Sequence, residues 1–263
     1  MHRPADAAAL DLARSTCTGL ASALGDNLVA AYLHGSAVLG GYRPDRSDLD
    51  ILALTDARLA NADIDAVVAS LDRGVYPARG LEMSLLTTAE AALPGTHAPR
   101  FQLHVATSGI DGPIRVVDGR QREGDRDLIL HFAVCRAAGV TLLGPSPDET
   151  LRSIRASDLA QAMLDEIEWA ATAAPRAYLV LTCARAWLFA VTDRIGSKIE
   201  AGEWAAERYP EPGPIESALI AQRGGEAEVD SLAAVDLARY VGGLIRRRIV
   251  TGEPSRGRLN ADV

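Results

Sequence analysis

The sequence is poor in cysteine, nearly devoid of lysine, and without a long apolar run. Its three cysteines, Cys17, Cys135 and Cys183, lie far apart and never form a C-x-x-C pair, which excludes a disulfide scaffold and argues against a zinc site. Nowhere does a stretch of about 18 apolar residues lack a charge, so no membrane-spanning helix is expected. The N-terminal Ala/Leu pattern is interrupted by Asp11 and Arg14 and lacks the clean apolar centre of a secretory signal, so the expected compartment is the cytoplasm. Positive charge is outweighed: 27 Lys and Arg stand against 35 Asp and Glu, a net charge of −8. That balance fits poorly with a track along a phosphate backbone, so neither nucleic acid nor a membrane is expected as partner. Lysine occurs once, at Lys198, and the other 26 basic residues are arginine. Where arginine serves every ordinary surface charge, a lone ammonium marks a place for a compact point charge rather than a planar fork.

What remains is globular material, 48% hydrophobic and 24% charged over 263 residues, long enough to bury a sizeable core. Residues 6–24 read as an Ala/Leu helix closed by Gly25. The apolar run 28–33 reads as a buried strand feeding the turn at His34, Gly35 and Ser36. Further strands are expected over 48–54, 81–86, 101–107 and 140–143, and helices over 61–73 and 126–138. Thr87 and Thr88 offer a cap for a short helix, Asp125 a cap for the helix over 126–138, and Gly139 its stop. Residues 144–148 are rich in Gly and Pro and mark the domain boundary. Beyond it the pattern is helical, over 148–173, 176–193, 197–208, 214–223 and 229–250. The expectation is two domains, 1–146 and 147–263, an α/β half followed by a helical bundle.

The sharpest local feature is the Gly35–Ser36 turn followed, after eleven residues, by Asp48 and Asp50. Two residues at i and i+2 on a strand share one face. Two carboxylates held ~4 Å apart repel by ~4 kcal/mol at an effective dielectric near 20, and a bound divalent cation removes that cost. Oxygen-only ligands favour Mg²⁺ or Mn²⁺, shared with substrate phosphates. Gly35 would let backbone approach a phosphate, Ser36 adds a hydroxyl, and a helix starting at Ala37 would add free N–H groups. A third acid, Glu82, lies on an expected core strand, where it can join the metal shell or act as general base. His34 adjoins the turn and so the expected phosphates. His97, His104 and His131 show no ligand spacing and read as ordinary core or surface residues.

At Gly35, Ser36, Asp48, Asp50 and Glu82 the sequence resembles the nucleotidyltransferase superfamily of the DNA polymerase β type. A closer likeness covers most of the chain. Leu181–Trp187, Gly196–Lys198, Glu203–Ala205 and the run Gly40–Pro44 are similar to the streptomycin/spectinomycin-type aminoglycoside adenylyltransferases. The resemblance implies an α+β architecture: an N-terminal nucleotidyltransferase domain with a mixed sheet flanked by helices, then an all-α C-terminal bundle that closes over MgATP. It implies Arg185 and Lys198 as contacts to the nucleotide phosphates, and two Mg²⁺ ions on Asp48, Asp50 and Glu82. Trp187 and Trp204 read as core anchors. The sequence departs from the family in one region: residues 173–178 carry no acid for a cationic drug, and no Trp precedes Trp169. Asp165, Glu166 and Glu168 lie nearby and read as a solvated helix face.

The implied reaction is transfer of AMP from MgATP to a hydroxyl of a small cationic acceptor, an aminoglycoside or aminocyclitol antibiotic, with pyrophosphate released. The acceptor hydroxyl attacks the α-phosphorus in line and Glu82 takes its proton. The alternatives are the same chemistry on another metabolite or a protein side chain, or a nucleotide-binding relative without turnover. The expected assembly is a monomer or weak dimer.

Overall fold

Strand-forming residues and burial coincide in the first half of the chain. The computed structural model describes residues 5–71, 76, 79–93, 97–107 and 113–254, and the chain divides into two compact units, Met1–Ser153 and Ile154–Val263.

The first unit begins with α1 (Ala7–Leu24), capped by the Asp6 side chain on the Ala9 N–H and ended at Gly25. It continues through β1 (Leu28–Leu33), the one-turn helix α2 (Ser36–Leu39), β2 (Leu49–Thr55), α3 (Asn61–Leu71), β3 (Leu81–Thr87), α4 (Thr88–Ala92), β4 (Leu103–Thr107), β5 (Ile114–Asp118), α5 (Asp127–Ala138), β6 (Val140–Leu143) and α6 (Pro147–Thr150). The strands form one mixed sheet in the order β5-β4-β3-β2-β1-β6. Only β2 and β3 run parallel. That pairing needs a crossover, and α3 lies within it. Ile51, Leu52, Ala53 and Leu54 of β2 are all buried, so this central strand reads as a continuous apolar run, with both faces covered.

The expected helix over 126–138 begins at Asp127, with Arg126 as its N-cap. Asp125 is therefore not the cap, although its carboxylate accepts the Asp127 N–H at 3.0 Å. Thr87 does cap α4, accepting from the Glu90 N–H. The expected helix over 61–73 is α3 as far as Leu71, and its last two positions lie outside the described residues. Strand β5 was not expected. Ile114–Asp118 carries two charges and sits at the sheet edge, half exposed, so its pairing with β4 defines it rather than its burial.

The expected helix over 148–173 is broken. Ser146 and Glu149 close a capping box around α6, and the chain then turns extended at Leu151. Leu151 and Arg152 are buried there. The Arg152 N–H donates to the Ala91 carbonyl, and its guanidinium donates to the Leu93 and His97 carbonyls. Burial and these bonds override the helical pattern.

The second unit holds α7 (Ala156–Ala173), α8 (Arg176–Thr192), α9 (Lys198–Ala206), α10 (Gly213–Gln222) and α11 (Ser231–Thr251). Helix α8 is the hub, packing on α7, α9, α10 and α11. Its residues are buried nearly all round, as a helix enclosed by others must be. Trp187 is buried and meets Trp204, Tyr240 and Tyr209 edge-on at 5.3, 5.4 and 6.2 Å. The buried Arg248 of α11 pairs with Asp193, the left-handed residue that ends α8.

Tyr32 ties the centre of the sheet to the chain leaving it. It is fully buried, and its hydroxyl bonds the Thr150 hydroxyl at 2.6 Å and the Pro145 carbonyl at 3.0 Å. Tyr32→Phe removes the donor to the Pro145 carbonyl, while the Thr150 hydroxyl keeps its bond to the Ser146 carbonyl, and should cost about 1 kcal/mol in urea unfolding.

Candidate functional site

The β2–β3 register builds the site. Asp50 lies directly opposite Glu82 in the parallel ladder, so their side chains project to the same face, and Asp48 shares that face two residues earlier. One carboxylate oxygen from each of Asp48, Asp50 and Glu82 lies within 4.8 Å of the others. Asp48 and Asp50 are half-buried and Glu82 is exposed. All three donors are hard oxygens, which suits Mg²⁺ or Mn²⁺. The Glu82 carboxyl is pushed above the ordinary carboxylate range, first by the protein crowding it and then by the Asp48 charge. Reluctance to ionise beside a second carboxylate is the mark of a group of acids suited to a cation.

Gly35 is required by geometry. It adopts φ +66°, and a Cβ added there would lie 1.8 Å from the Asp50 Oδ2. The His34 N–H donates to the Asp50 carbonyl at 3.0 Å, so the turn is fastened to the strand that carries the carboxylates. The Ser36 Oγ is buried without a hydrogen-bond partner, a donor ready for an oxyanion. The helix after it starts at Ser36 rather than Ala37 and has only four residues, so its dipole contributes little.

Two neighbours of the carboxylates escaped the sequence reading. The Tyr42 hydroxyl is shifted upward by burial and by Asp6, Asp48 and Asp50. His131 is more than a surface or core histidine. Its Nε2 lies 3.0 Å from Asp127 Oδ2, one helical turn away on α5. Asp127, Asp50 and Glu82 together overcome the effect of burial and raise it to about 9. Its ring lies 4.8 Å from that of His34, which burial and the His131 charge hold well below the usual histidine value. The i, i+4 spacing of Asp127 and His131 was the available signal. His104 bonds the Ser84 hydroxyl at 3.0 Å, and His97 bonds Glu90 at 3.0 Å.

Arg185 and Lys198 belong to the second unit. Arg185 lies on α8, half-buried, with Nε buried and unpartnered. Lys198 opens α9 behind the Ser197 cap, and its ammonium stands 4.4 Å over the Tyr178 ring. The Tyr178 hydroxyl donates to Glu166 at 2.6 Å, and Trp169, about half exposed, meets the same ring edge-on at 6.0 Å. The acids read as a solvated face are engaged: Asp165 accepts from Gln161, and Glu168 pairs with Arg246.

Comparisons with known proteins agree with this anatomy. Residues 146–246 match the family model described as the aminoglycoside adenylyltransferase C-terminal domain. An aminoglycoside (3'') (9) adenylyltransferase of Klebsiella pneumoniae is 28% identical over 70% of this chain and 72% of its own. A spectinomycin 9-adenylyltransferase of Campylobacter jejuni is 25% identical over 81% of this chain and 86% of its own. The fold matches the crystal structure of a spectinomycin adenyltransferase from Enterococcus faecialis, solved with ATP and spectinomycin. That match has a TM-score of 0.70 and 20% identity, and covers 90% of this chain and 98% of the other. A mixed sheet bearing three carboxylates, joined in sequence to a helical C-terminal unit, is the fold this chain shares with that solved structure. The chain is thus similar to aminoglycoside adenylyltransferases, most directly in its C-terminal region, where residues 146–246 match that family's C-terminal domain.

Two predictions follow from this geometry. Gly35→Ala should displace the Asp50 carboxylate and strain the turn, lowering the melting temperature measured by circular dichroism. His131 has a folded pKa above its ordinary value of 6.5, so the stability it contributes is complete below that value and is lost as pH rises toward about 9. His34 acts oppositely, because its folded pKa is depressed and it costs stability below 6.5. Urea titrations from neutral to alkaline pH should therefore show a decline that His131→Gln flattens.

Proposed function

We propose that this protein transfers AMP from ATP to a hydroxyl of an aminoglycoside or aminocyclitol antibiotic, releasing pyrophosphate and inactivating the drug. The observation that carries this is the convergence of Asp48, Asp50 and Glu82 beside the Gly35–Ser36 turn. The sequence likeness to aminoglycoside and spectinomycin adenylyltransferases supports the choice of acceptor.

Asp48, Asp50 and Glu82 would hold Mg²⁺, two ions in the full assembly, which when bound supplies positive charge against the triphosphate and lowers the barrier to attack at the α-phosphorus. The chain's own groups do the rest. Glu82 accepts the proton of the acceptor hydroxyl, a role suited to a carboxyl whose pKa is raised. The Gly35 turn brings backbone close to the phosphates, and the Ser36 hydroxyl donates to a phosphate oxygen. Arg185 and Lys198 neutralise charge that builds on the phosphates as pyrophosphate leaves. The buried, unpartnered Arg185 Nε supports that role. The cationic drug is drawn to negative charge on the protein, for which Asp165, Glu166 and Glu168 are the nearby acids of the second unit. The acceptor lies among small cationic molecules, the protein works as a monomer or weak dimer, and its compartment is the cytoplasm.

The test is pyrophosphate release from MgATP across a panel of aminoglycosides and aminocyclitols, with product masses. A drug should gain the mass of AMP. Asp48→Asn should keep its circular dichroism spectrum and lose transfer by at least about 10³-fold. Near-native turnover by that variant would remove the central claim. Glu82→Gln should retain ATP binding and lower kcat more than it raises KM. A panel without any modified drug, from protein that still binds MgATP, would move the acceptor to metabolites or protein side chains.

A further inference from the structure

Three helices of the second unit meet at one aromatic ring. Tyr178 stands near the start of α8, half-buried. Its hydroxyl donates to Glu166 of α7 at 2.6 Å. Trp169, three residues further along α7, meets the ring edge-on at 6.0 Å. The rim of the ring is thus held at two points, and one face carries the Lys198 ammonium of α9, 4.4 Å from the centroid. Packing alone does not account for this lysine. It is the first residue of α9, where the positive end of the helix dipole repels a cation. The acid in the first turn of that helix, Glu200, pairs with Arg194. An ammonium kept there gains from compensation outside its own helix, and the ring supplies it. A phenol ring offers a negative face to a cation, and donation from its hydroxyl to a carboxylate makes the ring richer in electrons. Backbone geometry brings the lysine within reach. A Cβ on Gly196 would lie 2.6 Å from the Leu188 side chain, so the chain entering α9 lies against α8.

We propose that Tyr178 is a positioning residue for Lys198: its ring, braced by Glu166 and Trp169, is a seat that fixes the ammonium as a point charge for the nucleotide phosphates. The inference deepens the proposed function and rests on it for the role of Lys198. A lysine side chain is among the most costly to order, because many rotamers are lost at once. A seat built into the fold orders it before the nucleotide binds, so binding does not carry that cost. The attraction of a ring face takes up no particular ammonium hydrogen, unlike a direct bond to a carboxylate. That property suits a charge intended for phosphate oxygens. Tyr178 touches no reacting atom in this role and acts through Lys198.

The single lysine of the sequence makes the test direct. In the full chain isotopically labelled on lysine, the ε-methylene gives one NMR signal. That signal should lie upfield of free lysine in the wild type and in Tyr178→Phe, because a ring shields it in both, and should return to the free value in Tyr178→Leu. Affinity for MgATP is then measured by calorimetry, without any acceptor, in the wild type, Lys198→Met, Tyr178→Leu, Tyr178→Phe and the double variant Lys198→Met/Tyr178→Leu. Tyr178→Leu should weaken binding about three- to tenfold, the scale of one cation–π contact, and Tyr178→Phe should recover most of that loss. In the Lys198→Met background, Tyr178→Leu should cause no further loss, because the group it positions is gone. Losses that multiply in the double variant assign Tyr178 a merely structural role and overturn the proposal. So do a Tyr178→Leu protein that binds like the wild type, a Tyr178→Phe protein as weak as Tyr178→Leu, and an unshifted wild-type signal. Unchanged affinity in Lys198→Met overturns the phosphate role of Lys198, and the positioning role with it, even where the shifted signal shows the seat to be real. Absence of MgATP binding by the wild type overturns the proposed function as well. Tyr178→Met, checked by circular dichroism, takes the place of Tyr178→Leu should the latter fail to fold.

Discussion

Repulsion between carboxylates governs this structure. Bringing one oxygen from each of three acids within 4.8 Å opposes folding unless something holds the backbone there. The parallel register of β2 and β3 does so, because it sets Asp50 opposite Glu82 and Ile51, Leu52, Leu54 and Met83 in the core around them. A one-residue slip would turn every one of these side chains to the opposite face. Hydrophobic burial of the central strands therefore sustains an electrostatic arrangement that is unfavourable by itself. The Glu82 carboxyl is displaced upward chiefly by burial and secondarily by the Asp48 charge.

The same constraint explains the turn before α2. Gly35 adopts a left-handed conformation with Asp50 filling the space a Cβ would take. Backbone and carboxylate thus lie in contact with no side chain between them, the arrangement a phosphate-bearing ligand needs if it is to reach both. The second unit, taken by itself, carries the chain's one lysine. Arg185 and Lys198 project from two helices that pack on each other in a bundle organised around α8. The chain's single ammonium lies over an aromatic ring whose hydroxyl is bound by an acid. A cation so placed is held by the face of the ring and by nearby negative charge, and its position is set before any ligand arrives.

Much of this was legible in the residues, and the reasons differ by element. Strand β1 was readable because six apolar residues ended at a Gly-Ser turn. The acids were readable as a group because Asp-x-Asp, weak by itself, follows a Gly-Ser turn at a fixed spacing with an expected strand on either side. Strand β5 was hidden, since an edge strand is defined by its partner and its own five residues alternate poorly. The break after α6 was hidden because Leu151 and Arg152 leave the helix for tertiary contacts that local propensity does not report. The engagement of Glu166 by Tyr178 was hidden too, twelve residues apart across two helices. His131 is the instructive case. Its spacing from Asp127 could have been noticed, but its meaning depends on three strands and a turn brought beside it by the fold.

The distribution of buried charge then has a single logic. On the proposed function, the site accepts a metal bound to a polyanion and releases it after turnover, so its acids can be neither wholly uncompensated nor fully neutralised. Uncompensated, the three carboxylates would hold the cation too firmly and destabilise the cation-free fold. Fully neutralised by direct salt bridges, they would have no lone pairs left to offer. His131, bonded to Asp127 on α5, is raised against the effect of burial by Asp127, Asp50 and Glu82, so the fold's acids act on more than one element of the first unit.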